Sequence, residues 1–139
     1  MSRTDYIAGQ IAAIMPRIAR TITSSFSKAH QLPPSQIFAI LTLDEKGSCR
    51  FSELSESLRV AAPTVTGIIG RLAKGGFVTR VHDKEDRRAI NVQLTVKGSK
   101  VAQEIRKIVK TRWFDILSGL PKSDQENYLR IVTKIHKKL

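Results

Sequence analysis

The sequence predicts a mainly α-helical chain that also contains a small β-hairpin, an α+β fold, and three observations support this prediction. Apolar residues recur at helical spacing along most of the 139 residues. Residues 90–94 instead alternate strictly between apolar and polar after the charged segment DKEDRR, which is typical of the second strand of a hairpin. Gly75 and Gly76 lie between a helical pattern and this hairpin, where a left-handed glycine often ends a helix.

Two short helical patterns precede the hairpin. The segment FSELSESL, residues 51–58, predicts the first helix, and we expect Ser52 to cap its first turn. The second pattern begins at Pro63 and has apolar residues at the i, i+3, i+4 and i+7 positions of one face, namely Val65, Ile68, Ile69 and Leu72. Helix, turn, helix and hairpin in this order, over residues 52–95, indicate a winged helix–turn–helix.

The polar face of the second helix differs from an ordinary solvent-exposed face, which more often contains Glu, Lys and Gln. Its residues are mostly small or basic: Pro63, Thr64, Thr66, Gly67, Gly70, Arg71 and Lys74. Such a face suits close approach to a polyanion, although a solvated face without function is the alternative, with Arg71 and Lys74 as ordinary helix cations. We also expect Ala62 to be a poor N-cap, which leaves backbone N–H groups for a DNA phosphate.

The chain has a formal net charge of +12 and a pI of about 10.4, which indicates an acidic partner, nucleic acid first of all. Residues 60–100 have a net charge of +5, but residues 101–139 have the same charge, so charge alone does not locate the interface. A ribosomal or membrane-surface protein is also basic, and only the arrangement of the motifs decides between these classes. Because the sequence has no phosphate-binding loop, nucleophile motif or carboxylate cluster, we predict neither an enzyme nor a cofactor.

Further features exclude other classes of site. No apolar run approaches the roughly 18 residues of a membrane helix, and the N-terminus lacks the regions of a signal peptide, so we expect a cytoplasmic protein without a membrane partner. Cys49 is the only cysteine, which excludes an intramolecular disulfide, and the neighbouring Arg50 is a weak argument for a redox-sensing thiol. No metal site is predicted, because metal-like spacing is absent from the three histidines, His30, His82 and His136.

Long apolar stripes occupy both ends of the chain. The first has an isoleucine every three or four residues, at Ile7, Ile11, Ile14, Ile18 and Ile22, and Pro16 should kink its helix or split it in two. The second half contains two such stripes, over residues 101–117 and 129–139. Since a single partner helix cannot cover stripes of this length, we predict a single domain, residues 1–139, in which residues 1–30 and 97–139 form a dimer with a second copy.

Shorter segments complete the predicted order of elements. A double-proline break at residues 33–34 precedes a compact helix with an apolar core face at Ile37, Ile40 and Leu41. The link Ser48–Arg50 could pair with the hairpin as a third strand. Near the C-terminus we expect Ser123 and Glu126 to form a capping box at the start of the last helix.

Residues 52–95 resemble the MarR family of bacterial and archaeal transcription regulators. The resemblance rests on the segments SELSESL, PTVTGIIGRLAKGGFVTR and DRRAINVQLT. The last segment, Asp86–Thr95, has the Asp, the Arg two residues later and the closing Leu-Thr of the family's wing signature. The resemblance implies a homodimer with interlocking terminal helices. Its recognition helices would enter successive major grooves of double-stranded DNA, and its wings would reach the flanking minor grooves.

Carried over residue by residue, the resemblance implies that Arg88 enters the minor groove and that Asp86 fixes the Arg88 side chain. Lys84 and Arg87 are then expected to contact phosphates, which position the protein without specifying the sequence. The positions at which the family meets the major groove or its phosphates are Pro63, Thr64, Thr66 and Arg71. Many members have Arg where this chain has Gly67, and glycine cannot make the bidentate contact with guanine. The alternative without a function in DNA binding is that Arg88 is a surface cation paired with Asp86.

We therefore expect a dimeric, sequence-specific DNA-binding regulator that represses from a pseudo-palindromic operator and is released by a small aromatic effector. Three aromatic residues are candidates for lining the effector pocket, although each could also be plain core: Phe26, Phe38 and Trp113. The competing interpretation is a winged-helix module that binds protein or RNA, but such modules often lack a basic recognition face, and this chain has Arg71, Arg87 and Arg88. A structural RNA-binding protein is a third interpretation, which the wing signature disfavours.

Overall fold

The computed structural model describes residues 1–86 and 88–139, so that Arg87, one of the predicted wing cations, lies outside the described residues. Within these residues the elements are α1 (Arg3–His30), α2 (Pro34–Lys46), β1 (Cys49–Arg50), α3 (Phe51–Leu58), α4 (Ala62–Lys74), β2 (Val78–His82), β3 (Ile90–Leu94), α5 (Val96–Ser118) and α6 (Lys122–Lys138). The predicted mainly α-helical fold with a small hairpin is confirmed, and so is the winged helix–turn–helix order.

The helix α1 begins with a reciprocal cap. The Ser2 hydroxyl accepts the Asp5 N–H at 3.0 Å, while the Asp5 carboxylate accepts the Ser2 N–H at 3.1 Å. Pro16 lies in the middle of this 28-residue helix and does not divide it, so a split into two helices is excluded. The reason is that proline removes only one N–H donor, while a helix of this length keeps its bonds on both sides.

The core lies between α2, α4, the sheet and the first half of α5. The predicted apolar face of α4 is confirmed, since each of its four members is at most 3% exposed: Val65, Ile68, Ile69 and Leu72. On α2 the buried face is formed by Ile37, Ile40 and Leu43, whereas Leu41 is only partly buried. Burial along α5 ends at Ile105, and the second half of this helix is largely exposed.

The sheet has three antiparallel strands in the order β1–β3–β2. The predicted third strand is confirmed, because Cys49 pairs with Val92 and Arg50 pairs with Asn91. The hairpin register joins Val78 to Leu94 and ends with His82 opposite residue 90. The hairpin tip therefore begins at residue 83.

Two predicted caps of the central helices are wrong. The helix α3 begins at Phe51, so Ser52 lies inside it, and its N-cap is Arg50, whose N–H donates to Glu53 Oε1 at 3.1 Å. The helix α4 begins one residue before Pro63, because the carbonyl of Ala61 already accepts the N–H groups of residues 64 and 65. The carboxylate of Glu53 thus determines the start of α3, and the carbonyl of Ala61 determines the start of α4.

The capping box predicted for α6 is also wrong, since this helix begins at Lys122 and Ser123 is already helical. Its N-cap is Pro121, which has no side-chain donor or acceptor. The junction with α5 is held instead by Gln125, whose Nε2 donates to the carbonyls of Leu117 (2.8 Å) and Leu120 (2.9 Å). An amide side chain therefore bonds to one carbonyl in the last turn of α5, that of Leu117, and to one carbonyl in the link that follows.

Candidate nucleic-acid interface

The face of α4 opposite its buried stripe is open to solvent. Its large members are exposed and its two glycines are half-buried, which leaves every predicted residue of this helix accessible: Pro63, Thr64, Thr66, Gly67, Gly70, Arg71 and Lys74. Thr66 Oγ1 donates to the Ala62 carbonyl at 3.2 Å, and the side chain is exposed. The face combines small residues, including two glycines, with two cations near the C-terminal end.

Gly67 and Arg71 form one unit on this face. The guanidinium atom Nη1 of Arg71 lies 3.9 Å from the position that a Cβ atom on Gly67 would occupy. The Arg71 side chain therefore extends back over Gly67, one turn toward the start of α4. The missing side chain at residue 67 is thus replaced at that position by a guanidinium from residue 71.

The N-terminus of α4 has no side-chain cap, since Ala61 provides no acceptor. Proline at the second helical position removes one further donor. The start of the helix is consequently polar, positively polarised and free of a competing carboxylate in its first turn. Such a helix terminus is suited to a phosphate group.

The C-terminus of α4 ends in the predicted glycine turn. Gly76 has a φ of +80°, and the Phe77 N–H donates to the Leu72 carbonyl at 2.9 Å, as in a Schellman motif. The first turn of α5 also contacts this end of α4. Thr95 Oγ1 donates to the Gly76 carbonyl at 2.6 Å, and Lys97 Nζ donates to the carbonyl of residue 75 at 2.8 Å.

Two aspartates, Asp83 and Asp86, form the turns of the hairpin tip. Asp83 Oδ1 accepts the N–H groups of Glu85 (2.8 Å) and Asp86 (3.4 Å). Asp86 Oδ1 accepts the Arg88 N–H at 3.0 Å, and the Asp86 carbonyl accepts the Ala89 N–H at 3.0 Å. Both carboxylates therefore make turns by accepting bonds from backbone groups two residues later.

The predicted contact between the Asp86 carboxylate and the Arg88 side chain is absent from the described residues. Asp86 bonds to the backbone N–H of Arg88 instead, so it shapes the turn and leaves the guanidinium exposed. The Asp86 carboxylate closes the turn through the backbone, whereas the exposed Arg88 side chain extends into solvent. Lys84 is also exposed, so the tip presents both described cations to solvent.

Asp83, which no sequence motif singles out, connects the tip to the rest of the domain. Asp83 Oδ2 accepts from Arg50 Nη2 at 3.2 Å and from Asn91 Nδ2 at 3.4 Å. The backbone N–H of Glu85, followed by the Arg50 side chain, lowers the pKa of the Asp83 carboxyl from its ordinary value. The available signal was an Asp directly after a strand and two residues before a free N–H, the pattern of an Asx turn.

The remaining candidates do not form reactive sites. Cys49 is 1% exposed, and burial, followed by the nearby Glu53, raises the pKa of its thiol above the ordinary value, which disfavours a reactive thiolate. His30 Nε2 lies 3.4 Å from Glu104 Oε2, between α1 and α5. No group of three potential metal ligands occurs in residues 1–86 and 88–139.

The three aromatic candidates do not line a common pocket. Phe26 is buried and packs edge-on against Phe38, with ring centroids 6.1 Å apart. Trp113 instead lies against Tyr128, with centroids 5.6 Å apart. This second pair borders a largely apolar cavity of about 430 Å³ between α1, α5 and α6, whose other lining residues are Arg17, Ile18, Thr21, Ile116, Leu117 and Leu120.

A helix pair, an exposed recognition face and a three-stranded wing together define a winged helix–turn–helix protein of the DNA-binding class. The sequence profile of the MarR family matches residues 32–90. The transcriptional repressor MdtR of Bacillus subtilis is 29% identical over 111 residues, which cover 78% of this chain and 71% of MdtR. The chain belongs to the MarR family; it is a transcription regulator and not an enzyme.

Solved structures agree with this assignment. The transcriptional regulator Tm0710 of Thermotoga maritima has a TM-score of 0.67 and 27% identity, over 93% of each chain. NadR, solved in complex with 4-hydroxyphenylacetate, has a TM-score of 0.71 and 27% identity, over 90% of this chain and 89% of NadR. None of the helices in the described residues combines the length and the hydropathy of a membrane span.

Proposed function

We propose that the protein is a homodimeric repressor that binds a pseudo-palindromic operator and is released by a small aromatic molecule. The observation that supports it best is the exposed face of α4, which combines small residues, Arg71 and an uncapped helix start. A face of this shape can approach the floor of a major groove. An operator on the chromosome as the partner implies action in the cytoplasm.

The dimer is supported by apolar faces that the chain does not cover itself. On α1 the side chains of Ile7, Ile11 and Ile14 are 43–53% exposed. On α6 the predicted stripe is also exposed, with Leu129 at 67% and Ile135 at 53%. Such contiguous apolar surface is unfavourable in water and indicates a partner. A second copy offers the same surface about a two-fold axis, which matches two half-sites.

The DNA contacts follow from the positions of the cations. We assign Arg71 and Lys74, with the hydroxyl groups of Thr64 and Thr66 and the ring of Pro63, to the major groove or its phosphates. Lys84 and Arg88 at the hairpin tip are assigned to the flanking minor groove and backbone, and Arg87 is assigned there from the sequence alone. Because Gly67 cannot contact a base, we expect phosphate contacts and DNA shape to provide much of the affinity.

An aromatic effector is proposed by analogy with NadR, which was solved with 4-hydroxyphenylacetate. The cavity beside Trp113 and Tyr128 has the volume and apolar lining of a small-molecule site. Arg17 at its border is a cation that could bind a carboxylate. Adding 4-hydroxyphenylacetate to the preformed protein–DNA complex and measuring release provides a first test, with Trp113 fluorescence as an independent readout of binding.

Selection of bound fragments from the source genome, followed by sequencing, tests the DNA proposal. We expect enrichment of sites with two related half-sites about one helical turn apart. Binding to a selected site should fall steeply with salt, and substitutions at the central bases of each half-site should cost little affinity. A flat salt response, or equal competition by duplex RNA, contradicts the proposal and favours the alternative module that binds RNA or protein.

A further inference from the structure

The hairpin tip is connected to the start of α3 through one side chain of each. Arg50 Nη2 donates to Asp83 Oδ2 at 3.2 Å, although the two residues are 33 positions apart in the sequence. The other carboxylate oxygen of Asp83 holds the N–H groups of the turn. One oxygen of the Asp83 carboxylate therefore accepts hydrogen bonds from the turn, and the other accepts a hydrogen bond from Arg50 in the body of the domain.

Arg50 is a fixed partner because its backbone is held on two sides. Its N–H donates to Glu53 Oε1 at 3.1 Å, which makes it the N-cap of α3. As a residue of β1 it also pairs with Asn91 of β3, and Asn91 Nδ2 reaches the same Asp83 oxygen at 3.4 Å. The side chain of Asp83 is only 15% exposed, so the contact is partly shielded from water.

We propose that Asp83, held by Arg50, is a positioning residue that fixes the direction of the hairpin tip relative to α3 and α4. This inference rests on the proposed function only where it concerns DNA. A two-stranded ribbon has little rigidity of its own beyond its last paired residues, here His82 and Ile90. Holding the tip in one direction before binding lowers the ordering cost of bringing Lys84 and Arg88 to the DNA.

The role differs from a contribution to overall stability. Ion pairs near the surface contribute little to the free energy of unfolding. We therefore expect the Asp83→Asn variant to unfold at nearly the parent's urea concentration while it binds DNA more weakly. A positioning role predicts weaker DNA binding with unchanged unfolding, whereas a structural role predicts that both change.

Glu85 provides a matched control in the same turn. Asp83→Asn and Glu85→Gln each remove one negative charge from the tip, but the Glu85 carboxylate accepts no hydrogen bond from the rest of the described chain. Charge repulsion alone predicts that both variants bind a selected DNA site more tightly. Positioning predicts that Asp83→Asn binds about 3–10-fold more weakly, Asp83→Ala more weakly still, and Glu85→Gln equally well or better. Tighter binding by Asp83→Asn overturns the proposal.

A double-mutant cycle distinguishes the Arg50–Asp83 contact (the anchor) from a direct contact between Arg50 and DNA. If the two residues act as one unit, Arg50→Gln weakens binding in the parent but has little further effect in the Asp83→Asn background. If Arg50 binds a phosphate itself, the two losses add, and the proposal is overturned. The salt dependence of binding supports the same distinction, since a lost phosphate contact reduces its slope.

Amide hydrogen exchange of the free protein gives a readout that needs no DNA. We expect faster exchange of the Glu85 and Asp86 N–H groups in Asp83→Ala, faster exchange at the tip in Arg50→Gln, and no change in Glu85→Gln. Equal exchange in all variants overturns the anchor. The expected exchange pattern together with a parent protein that binds no DNA leaves the anchor in place and overturns the proposed function instead.

Discussion

Lys97 Nζ lies 2.8 Å from the carbonyl oxygen of Gly75 and 4.5 Å from the centre of the Phe77 ring. The first turn of α5 thus provides a cation at the C-terminal end of α4, where the helix dipole and the unpaired carbonyls favour positive charge. Together with Thr95, which donates to the Gly76 carbonyl, this contact fixes the end of the recognition helix to a helix outside the DNA-binding unit.

Replacing Lys97 by Met should lower the free energy of unfolding by about 0.5–1.5 kcal/mol, because the apolar stem is kept while the donor is lost. Urea denaturation at a fixed protein concentration measures this difference. Lys100→Met is the control, since Lys100 is exposed on the same helix and its side chain makes no described hydrogen bond. An equal loss in both variants contradicts the capping role of Lys97.

Gly98 is required by the close approach of α5 to the sheet. A Cβ atom at this position would lie 2.0 Å from the Phe77 carbonyl oxygen, which belongs to the backbone and cannot move aside cheaply. We expect Gly98→Ala to destabilise the protein by about 1–3 kcal/mol, the usual range for overpacking. Gly9→Ala is the control, because a Cβ there meets no atom within 4 Å and alanine favours a helix interior. The midpoint of thermal unfolding should therefore fall for Gly98→Ala and rise for Gly9→Ala.

Arg88→Ala should weaken binding to a selected site by about 1–3 kcal/mol, the range for a specific contact. It should leave the fold and the oligomeric state unchanged, because the residue is exposed at the hairpin tip. Fluorescence titration measures binding, and circular dichroism provides the control for folding. Undiminished affinity means that the tip cation does not enter the minor groove.

The role of Asp86 can be tested separately, since its carboxylate bonds to the Arg88 N–H and not to the guanidinium. An amide oxygen can accept the same bond, so Asp86→Asn should bind DNA about as well as the parent or better, while Asp86→Ala should bind more weakly. The comparison is made by titrating both variants against one site in the same buffer. If Asp86→Ala binds more tightly than the parent, repulsion by the carboxylate outweighs its effect on the turn.

Leu129→Arg tests the dimer without disturbing the chain's own core. Leu129 is 67% exposed in the single chain, so an arginine there meets no intrachain constraint but would be buried between two copies. We expect sedimentation equilibrium to show dissociation or aggregation for this variant. Val96→Arg, at a position that is 87% exposed at the start of α5, should remain like the parent. A Leu129→Arg dimer of unchanged stability places the interface elsewhere.

The elements of the fold were predictable because burial imposes a period on the sequence. The stripe of α4 and the alternation of β3 each follow from one buried face, and the glycine turn at Gly76 follows from its left-handed backbone. Helix starts were less predictable, since carbonyl and carboxylate acceptors compete for the same N–H groups. At α3 the carboxylate of Glu53 determines the start, and the hydroxyl of Ser52 does not.

The interface was predictable in its cations and not in the groups that hold them. Arg71 and Arg88 are visible in the sequence because they occur where a helix face or a hairpin tip is expected. The bond between Arg50 and Asp83 joins two segments whose sequence patterns are independent, so no local period indicates it. Likewise the fit of the Arg71 guanidinium over Gly67 depends on a side-chain direction that the sequence does not determine.

The two aspartate turns have a consequence for the electrostatics of the tip. The segment DKEDRR has three acidic and three basic residues and is formally neutral. Two of its three carboxylates, those of Asp83 and Asp86, accept backbone N–H groups. Asp83 is also paired with Arg50, which lies outside the segment, so the other five residues have a formal net charge of +1. A DNA strand approaching the tip meets a cation although the formal charge sums to zero, which a scan of net charge along the sequence would overlook.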